Sequence, residues 1–163
     1  MATQVPKLDG DTIQKLRLFA RNELTWAEVE GWTFEDACAV AAFGCELSAE
    51  GRLEEALIVF EGLTEINPRD AAAVAALGTV YQRLGRSQDA LSRYSAAIAL
   101  DPKQAVALAN RGELRLKKGD PDGANDLVAA MEADPGSKAP ATRRAVAIVK
   151  AMAMAVSGQA AQA

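Results

Sequence analysis

The chain repeats its own pattern at a fixed interval. The stretch from Glu65 to Gly78 reads EINPRDAAAVAALG, and its echo from Ala99 to Gly112 reads ALDPKQAVALANRG. An interval of about 34 residues indicates stacked copies of one supersecondary unit. Two sets of glycines, one set of alanines and one set of large apolar residues keep the spacing through three copies: Gly44, Gly78 and Gly112; Gly51, Gly85 and Gly119; Ala56, Ala90 and Ala124; and Phe60, Tyr94 and Val128.

The composition favours helices as the repeated element. Half of the residues are apolar but only 5% are aromatic, and alanine is abundant. Alanine has the highest helix propensity and lets helices approach closely. Runs with strand-like alternation are almost absent, as are Asn-Gly hairpin turns. The sequence therefore predicts an all-α protein.

Each unit reads as two helices joined by a glycine turn. The first glycine of a unit allows the helices to touch, and the second suits the left-handed turn between them. Units end on Asn67-Pro68, Asp101-Pro102 and, one position early, Asp134-Pro135. We expect Asn67 and Asp101 to cap the next helix and the prolines to open it; Asp120-Pro121 predicts a cap and start for the last helix of the third unit. The predicted pairs are 37–49 with 53–65, 71–83 with 87–99, and 105–117 with 121–133.

This period and these positions resemble the tetratricopeptide repeat over residues 36–136, in units of 36–69, 70–103 and 104–136. The resemblance implies a tetratricopeptide-type α-solenoid whose first helices line a concave groove for a client protein or peptide segment. Carried onto this sequence, that arrangement gives a small and nearly uncharged groove lining: Cys38, Ala41, Cys45 and Ser48; Ala72, Ala75, Thr79 and Gln82; and Val106, Ala109, Glu113 and Leu116.

The third unit departs from the repeat pattern. Arg111 and Arg115 stand where a large apolar residue and an aromatic residue are usual. Two interpretations follow: the third helix pair is looser, or the arginines lie over apolar surface with their charges in water.

Flanking segments complete the predicted domain organisation. Residues 137–157, opened by Pro140, read as a capping helix, because stacked pairs leave an apolar end face; residues 158–163 are expected to fray. Residues 1–35 read as a helical leader, capped by Asp11 or Thr12. Its large apolar residues either pack it against the first repeat or mediate self-association into a homodimer: Ile13, Leu16, Phe19, Trp26 and Trp32.

Several function classes are disfavoured. The net charge is −4 with no basic stripe, so we expect no nucleic-acid partner. The first ten residues contain no apolar stretch, so we expect no signal peptide. No stretch of the sequence approaches the length of a membrane span, so we expect no span and a cytoplasmic location. The chain has no histidine, two cysteines seven residues apart and no catalytic motif. We therefore expect no metal, no cofactor and no enzymatic activity.

The whole layout resembles the class II chaperones of type III secretion, which bind translocator proteins in the cytoplasm. The resemblance includes the layout of leader, three repeats and final helix. It also includes the stretches EGRLEEALIVFEGL, from Glu50, and ELRLKKGD, from Glu113. That family's groove typically has aromatic residues near the positions of Cys45 and Ser48. The alternative is a general tetratricopeptide scaffold; the clamp for acidic chaperone tails cannot be built from Ala41, Cys45, Val106 and Asn110.

Overall fold

The structure is a computed structural model that describes the backbone of residues 9–160 and the side chains of residues 9–155 and 157. Within that range no helix is long and apolar enough to cross a membrane. The same range contains nine α-helices and no strand: α1 Gly10–Ala20, α2 Trp26–Glu30, α3 Phe34–Ala49, α4 Leu53–Ile66, α5 Ala71–Arg83, α6 Ser87–Leu100, α7 Ala105–Lys117, α8 Gly123–Ala133 and α9 Pro140–Ala160.

The three predicted helix pairs are present as α3 with α4, α5 with α6, and α7 with α8. Each pair also packs against the next one, through α4 with α5 and α6 with α7. The chain is thus an α-solenoid of three helix pairs with a leader and a final helix, as predicted.

The two glycine positions of each unit do what the pattern predicts. Gly51, Gly85 and Gly119 have φ angles of +83°, +76° and +80°, in the left-handed region where a side chain is strained. At Gly78 an added Cβ would lie 2.8 Å from the ring of Tyr94. The turn glycines therefore close each hairpin, and the helix glycine lets the two helices touch.

The joints between the pairs are built differently from the prediction. Asn67 is the C-cap residue that follows α4, and Pro68 lies in the connecting turn. The cap of α5 is Asp70, whose Oδ1 accepts hydrogen bonds from two amides of the first turn at 2.9 and 3.1 Å. Asp101 likewise accepts a turn amide at 2.9 Å and lies three residues before the cap of α7. Proline disfavours helical geometry in the residue before it, so each Pro follows the end of one helix without opening the next.

The last helix of the third repeat is one position out of the repeat register. Asp120-Pro121 lie in the turn, and α8 begins at Gly123. Val128, which stands one full period after Tyr94, is 45% exposed, whereas its neighbour Leu127 is fully buried. The equivalence of Val128 with Tyr94 was therefore wrong. Asp134-Pro135 comes one position early at the end of this unit, which indicates in the sequence that the unit is one residue shorter than the others.

The two unusual arginines of the third repeat join α7 to α8. Arg111 forms a bidentate ion pair with Asp126, with nitrogen–oxygen distances of 2.7 and 2.8 Å. Arg115 contacts the same carboxylate at 3.2 Å. Asp126 is buried and the Arg111 side chain is mostly buried. Arg111, Arg115 and Asp126 form an ion-pair network between α7 and α8. The third helix pair is therefore not loose, and the arginine charges are paired with a carboxylate instead of being left in water.

Two apolar clusters hold the solenoid together. The larger one extends through α3 to α7 around Phe60, Leu77 and Tyr94. The smaller one joins Leu108 and Leu127 to the first half of α9. Pro140 opens α9 as predicted, and the helix continues to Ala160. The helix thus includes residues 158–160, which were expected to fray, whereas residues 161–163 lie outside the described range and their fraying stays a prediction.

Polar caps define the leader helices. The cap of α1 is Asp9, which accepts the amide of Thr12 at 2.7 Å, so neither Asp11 nor Thr12 is the cap. Thr25 and Glu28 form a capping box at the start of α2. α1 packs only against α2, and α2 packs against α4. The leader is therefore attached to the solenoid through α2, and the carbonyl of Asn22 also accepts a hydrogen bond from Arg69.

Candidate peptide-binding groove

The first helices of the three pairs, α3, α5 and α7, enclose a cavity of about 410 Å³. Most of its walls are small or aliphatic side chains, and Phe60 of α4 forms part of its floor. We call this the apolar cavity, and we use the term groove for the surface that continues from it toward α9. The side chains around the apolar cavity are Cys45, Ser48, Ala49, Phe60, Ala72, Ala75, Ala76, Thr79, Val80, Arg83, Gln104 and Val106.

Half of the twelve predicted groove residues line the apolar cavity: Cys45, Ser48, Ala72, Ala75, Thr79 and Val106. Gln82 lines a polar cavity beside it, and Glu113 and Leu116 line a third cavity farther along.

The other predicted groove residues lie elsewhere on the first helices. Cys38 is exposed and Ala41 is half-buried, both on α3 before Cys45. Ala109 is only 2% exposed and packs in the smaller apolar cluster, so it does not present its side chain to the groove. Ala75 is also 2% exposed and forms part of the cavity floor.

A hydrogen-bonded network underlies the polar part of the groove. The Tyr94 hydroxyl donates to Oε1 of Gln82 at 2.7 Å, and Nδ2 of Asn110 donates to Oγ1 of Thr79 at 3.2 Å. Burial raises the pKa of Tyr94 to about 12, so its hydroxyl remains a donor at neutral pH. These contacts fix the orientation of side chains from α5 and α7.

Two arginines that the groove prediction missed line this polar part. Arg83 and Arg144 share a cavity of about 360 Å³ with Thr79, Gln82 and Asn110. Arg83 directly follows Gln82 at the end of α5. Arg144 lies on α9, outside the three repeats, so no repeat position marks it as a groove residue; its place is shown by its hydrogen bond to Oδ1 of Asn110.

The groove carboxylate, Glu113, is shared between two cations. Oε1 accepts from Lys117 at 2.7 Å, and Oε2 accepts from Nε of Arg144 at 3.3 Å. Partial burial of Glu113 favours its neutral form, but the hydrogen bonds from these cations outweigh that effect and lower its pKa. Arg144 also donates to Oδ1 of Asn110 at 2.8 Å. Glu113 is therefore ionised at neutral pH, and the contacts of Arg144 with Glu113 and Asn110 join α9 to α7.

The predicted self-association residues are largely exposed. α1 contains no buried residue, and its Ile13 and Phe19 are 39% and 42% exposed, while Leu16 is half-buried. Trp26 packs edge-on against Phe19 with ring centroids 5.4 Å apart. Trp32 borders a cavity between α2, α3 and α4. Both tryptophans thus pack within the chain and still present about a third of their surface to solvent.

Comparisons with known proteins agree with this architecture. The tetratricopeptide repeat family model matches residues 75–138. No curated protein matches the sequence. Among solved structures, the Yersinia enterocolitica type III secretion chaperone SycD, in complex with a peptide of the translocator YopD, is 21% identical with a TM-score of 0.63; the match covers 78% of this chain and 96% of that chain.

Two further solved structures are similar over most of their length. A type III secretion complex from Aeromonas hydrophila is 18% identical, with a TM-score of 0.72, and the match covers 88% of this chain and 98% of that one. PcrH from Pseudomonas aeruginosa is 24% identical, with a TM-score of 0.62 and coverage of 73% and 92%. At these identities the likeness establishes the fold. The chain has the fold of these structures, and the tetratricopeptide repeat model matches its residues 75–138.

Proposed function

We propose that this protein binds an extended segment of a client protein in its groove and acts as a chaperone of type III secretion translocators. The observation on which the proposal rests is the apolar cavity between α3, α5 and α7. Its lining of small side chains leaves room for a bulky apolar side chain of the client. An apolar side chain of leucine size that is fully transferred from water contributes about 1.5–3 kcal/mol.

The translocator assignment draws support from the neighbouring structures. The SycD structure includes a peptide of the translocator YopD, and the match to it covers 96% of that chain. We expect a translocator client to contain apolar, membrane-inserting segments, which aggregate in water when they are uncovered. A groove that covers such a segment before secretion would keep the client soluble in the cytoplasm by occupancy, without catalysis.

The groove lining differs in one respect from that of the class II chaperone family that this sequence resembles, and the difference bears on binding. Where that family typically has aromatic residues, Cys45 and Ser48 leave the apolar cavity open. The α3 side chains that line the apolar cavity are therefore not aromatic. The apolar side chain by which the client is anchored in the cavity has to fill the space that an aromatic ring would occupy. We expect the preferred anchor to be large, such as Leu, Met or Phe.

We expect this gene to lie beside a gene for a protein with membrane-inserting segments, and the test is co-expression of the two proteins. We expect a soluble complex that co-purifies with the tagged chain. Ala72→Glu should weaken binding by at least tenfold, because it places a carboxylate in the apolar cavity. Ala72 is exposed in the first turn of α5, where an acidic side chain also suits the helix dipole. Ala75 and Ala109 are poorer test positions, since glutamate there would disturb the packed interior.

Ala96→Glu is the matched control. Ala96 is exposed on α6 and borders a separate cavity formed by α4, α5 and α6. This variant should bind like the unmodified chain, and circular dichroism should show the same helix content in all three proteins. Unchanged binding by Ala72→Glu would move the client site away from the groove. A client that stays insoluble beside the chain would favour the general scaffold.

A further inference from the structure

The net charge of the groove is opposite in sign to the net charge of the whole chain. The apolar cavity and the two cavities that continue it contain Arg83, Arg144, Lys117 and a single carboxylate, Glu113. Three cations against one anion leave a local charge of about +2, whereas the chain as a whole has a net charge of −4. A groove whose sign differs from its surroundings attracts an anionic ligand.

Arg83 has hydrogen-bonding capacity that the fold does not use. Its Nη1 contacts the backbone carbonyl and the hydroxyl of Ser48, at the end of α3. A guanidinium has five N–H donors on three nitrogens. Within the described residues, Nε and Nη2 of Arg83 have no hydrogen-bond acceptor, and no carboxylate forms an ion pair with Arg83.

Arg144 is positioned in a similar way from the other side. Its Nε and Nη2 are occupied by Glu113 and Asn110, which hold the guanidinium in place. Nη1 has no acceptor among the side chains that the structure describes, and the side chain is about half exposed. Because Lys117 also pairs with Glu113, the single groove carboxylate does not neutralise Arg144.

The cationic part of the groove adjoins the apolar cavity directly. Thr79 and Arg83 line both cavities. A client residue beside the apolar anchor would therefore pass over the two guanidinium groups. Planar guanidinium groups recognise carboxylates through paired, charge-assisted hydrogen bonds.

We propose that the client segment presents a carboxylate to Arg83 and Arg144 within a few residues of the apolar side chain that fills the apolar cavity. The inference rests on the proposed function and adds a specificity determinant to it. Because an extended client segment continues through the groove, the carboxylate is that of an Asp or Glu side chain within the segment.

The experiment uses random dodecapeptides displayed on phage and selected on the intact chain. One library has linkers at both ends of the peptide, and a second has a free carboxyl terminus. We expect selected peptides to combine a large apolar residue with an Asp or Glu at a preferred spacing. A synthetic copy of the best peptide should bind about tenfold more tightly than its Glu→Gln or Asp→Asn version.

Variants of the protein test whether Arg83 and Arg144 cause the preference for the charged peptide. Arg83→Gln and Arg144→Gln should each reduce the preference for the charged peptide, while Arg93→Gln should not. Arg93 borders the separate cavity on α6 and supplies a matched arginine outside the groove. The peptide comparison needs only the unmodified chain, so it stands even if an arginine variant unfolds.

The outcomes separate the two proposals. Selected peptides with an apolar anchor but no acidic residue, or equal affinities of the charged and amide peptides, would overturn the carboxylate proposal alone. Enrichment restricted to the free-carboxyl library, with no internal acidic residue, would overturn the internal side chain in favour of a terminal carboxylate. No enrichment from either library would overturn groove binding and the carboxylate proposal together.

Discussion

At the scale of single residues, the contact between two paired helices restricts the residue at Gly78. Tyr94 is fully buried opposite Gly78, and its hydroxyl is held by Gln82 at 2.7 Å. The ring therefore has little freedom to move away from a new methyl group. The repeat period indicates the position, and this contact explains why glycine is needed there.

We expect Gly78→Ala to lower the free energy of unfolding by about 1–2 kcal/mol. The added Cβ would lie 2.8 Å from the Tyr94 ring, and such overpacking typically costs about 1–3 kcal/mol. The higher helix propensity of alanine recovers up to about 1 kcal/mol of this. Urea unfolding monitored by circular dichroism measures the difference.

Gly62→Ala is the control for this substitution. Gly62 lies within α4, and a Cβ there would meet no atom within 4 Å. Alanine should therefore raise the free energy of unfolding by about 0.5–1 kcal/mol. Destabilisation of both variants by the same amount would show that contact with Tyr94 is not the cause.

At the scale of helices, the sequence allowed most boundaries to be predicted, because a turn glycine and a proline joint occur in every unit. The α8 register was missed because a one-residue deletion falls inside a turn, where the pattern has few fixed positions. The burial of Ala109 depends on how closely α8 and α9 approach, and the groove role of Arg144 depends on how α9 docks. Periodicity within the repeats does not reveal either.

The contact between α7 and α9 predicts a dependence of stability on pH. The pKa of Glu113 is lowered from an ordinary value of 4.5 in the folded chain. A carboxyl whose folded pKa is lowered stabilises the fold above its unfolded pKa, and this contribution disappears as the pH falls through the folded pKa. We therefore expect the stabilisation by Glu113 to be complete at pH 7 and to decline below about pH 4.5.

Glu113→Gln should remove that contribution, which we put at about 1 kcal/mol at pH 7. Urea unfolding at pH 7 and at pH 3 measures it: the variant should be less stable than the unmodified chain at pH 7 and nearly equal to it at pH 3. Glu132→Gln, at a solvent-accessible position on α8, should change neither value. A constant difference at both pH values would mean that ionisation of Glu113 is not involved.

At the scale of the whole molecule, the two ends of the solenoid are covered unequally. α9 covers the last pair, where Ala141 and Ala145 are buried. At the other end Phe43 is 53% exposed, although Leu77, its equivalent one repeat later, is fully buried. The leader does not cover this end face, since α1 packs only against α2. Apolar surface is thus left on both the leader and the first repeat.

We expect these surfaces to be covered by a second copy of the chain. Removing residues 1–32 should convert a dimer into a monomer in sizing chromatography with light scattering. The truncated chain should keep its repeats folded, because Thr25 and Ala27 are the buried residues among the described part of the removed segment and Thr33 still caps α3. In the intact chain, Phe19→Glu should have the same effect, whereas Glu35→Gln, at an exposed position of α3, should leave the dimer unchanged. An intact chain that is already monomeric at high concentration would rule out self-association, and the exposed leader would then need a different partner.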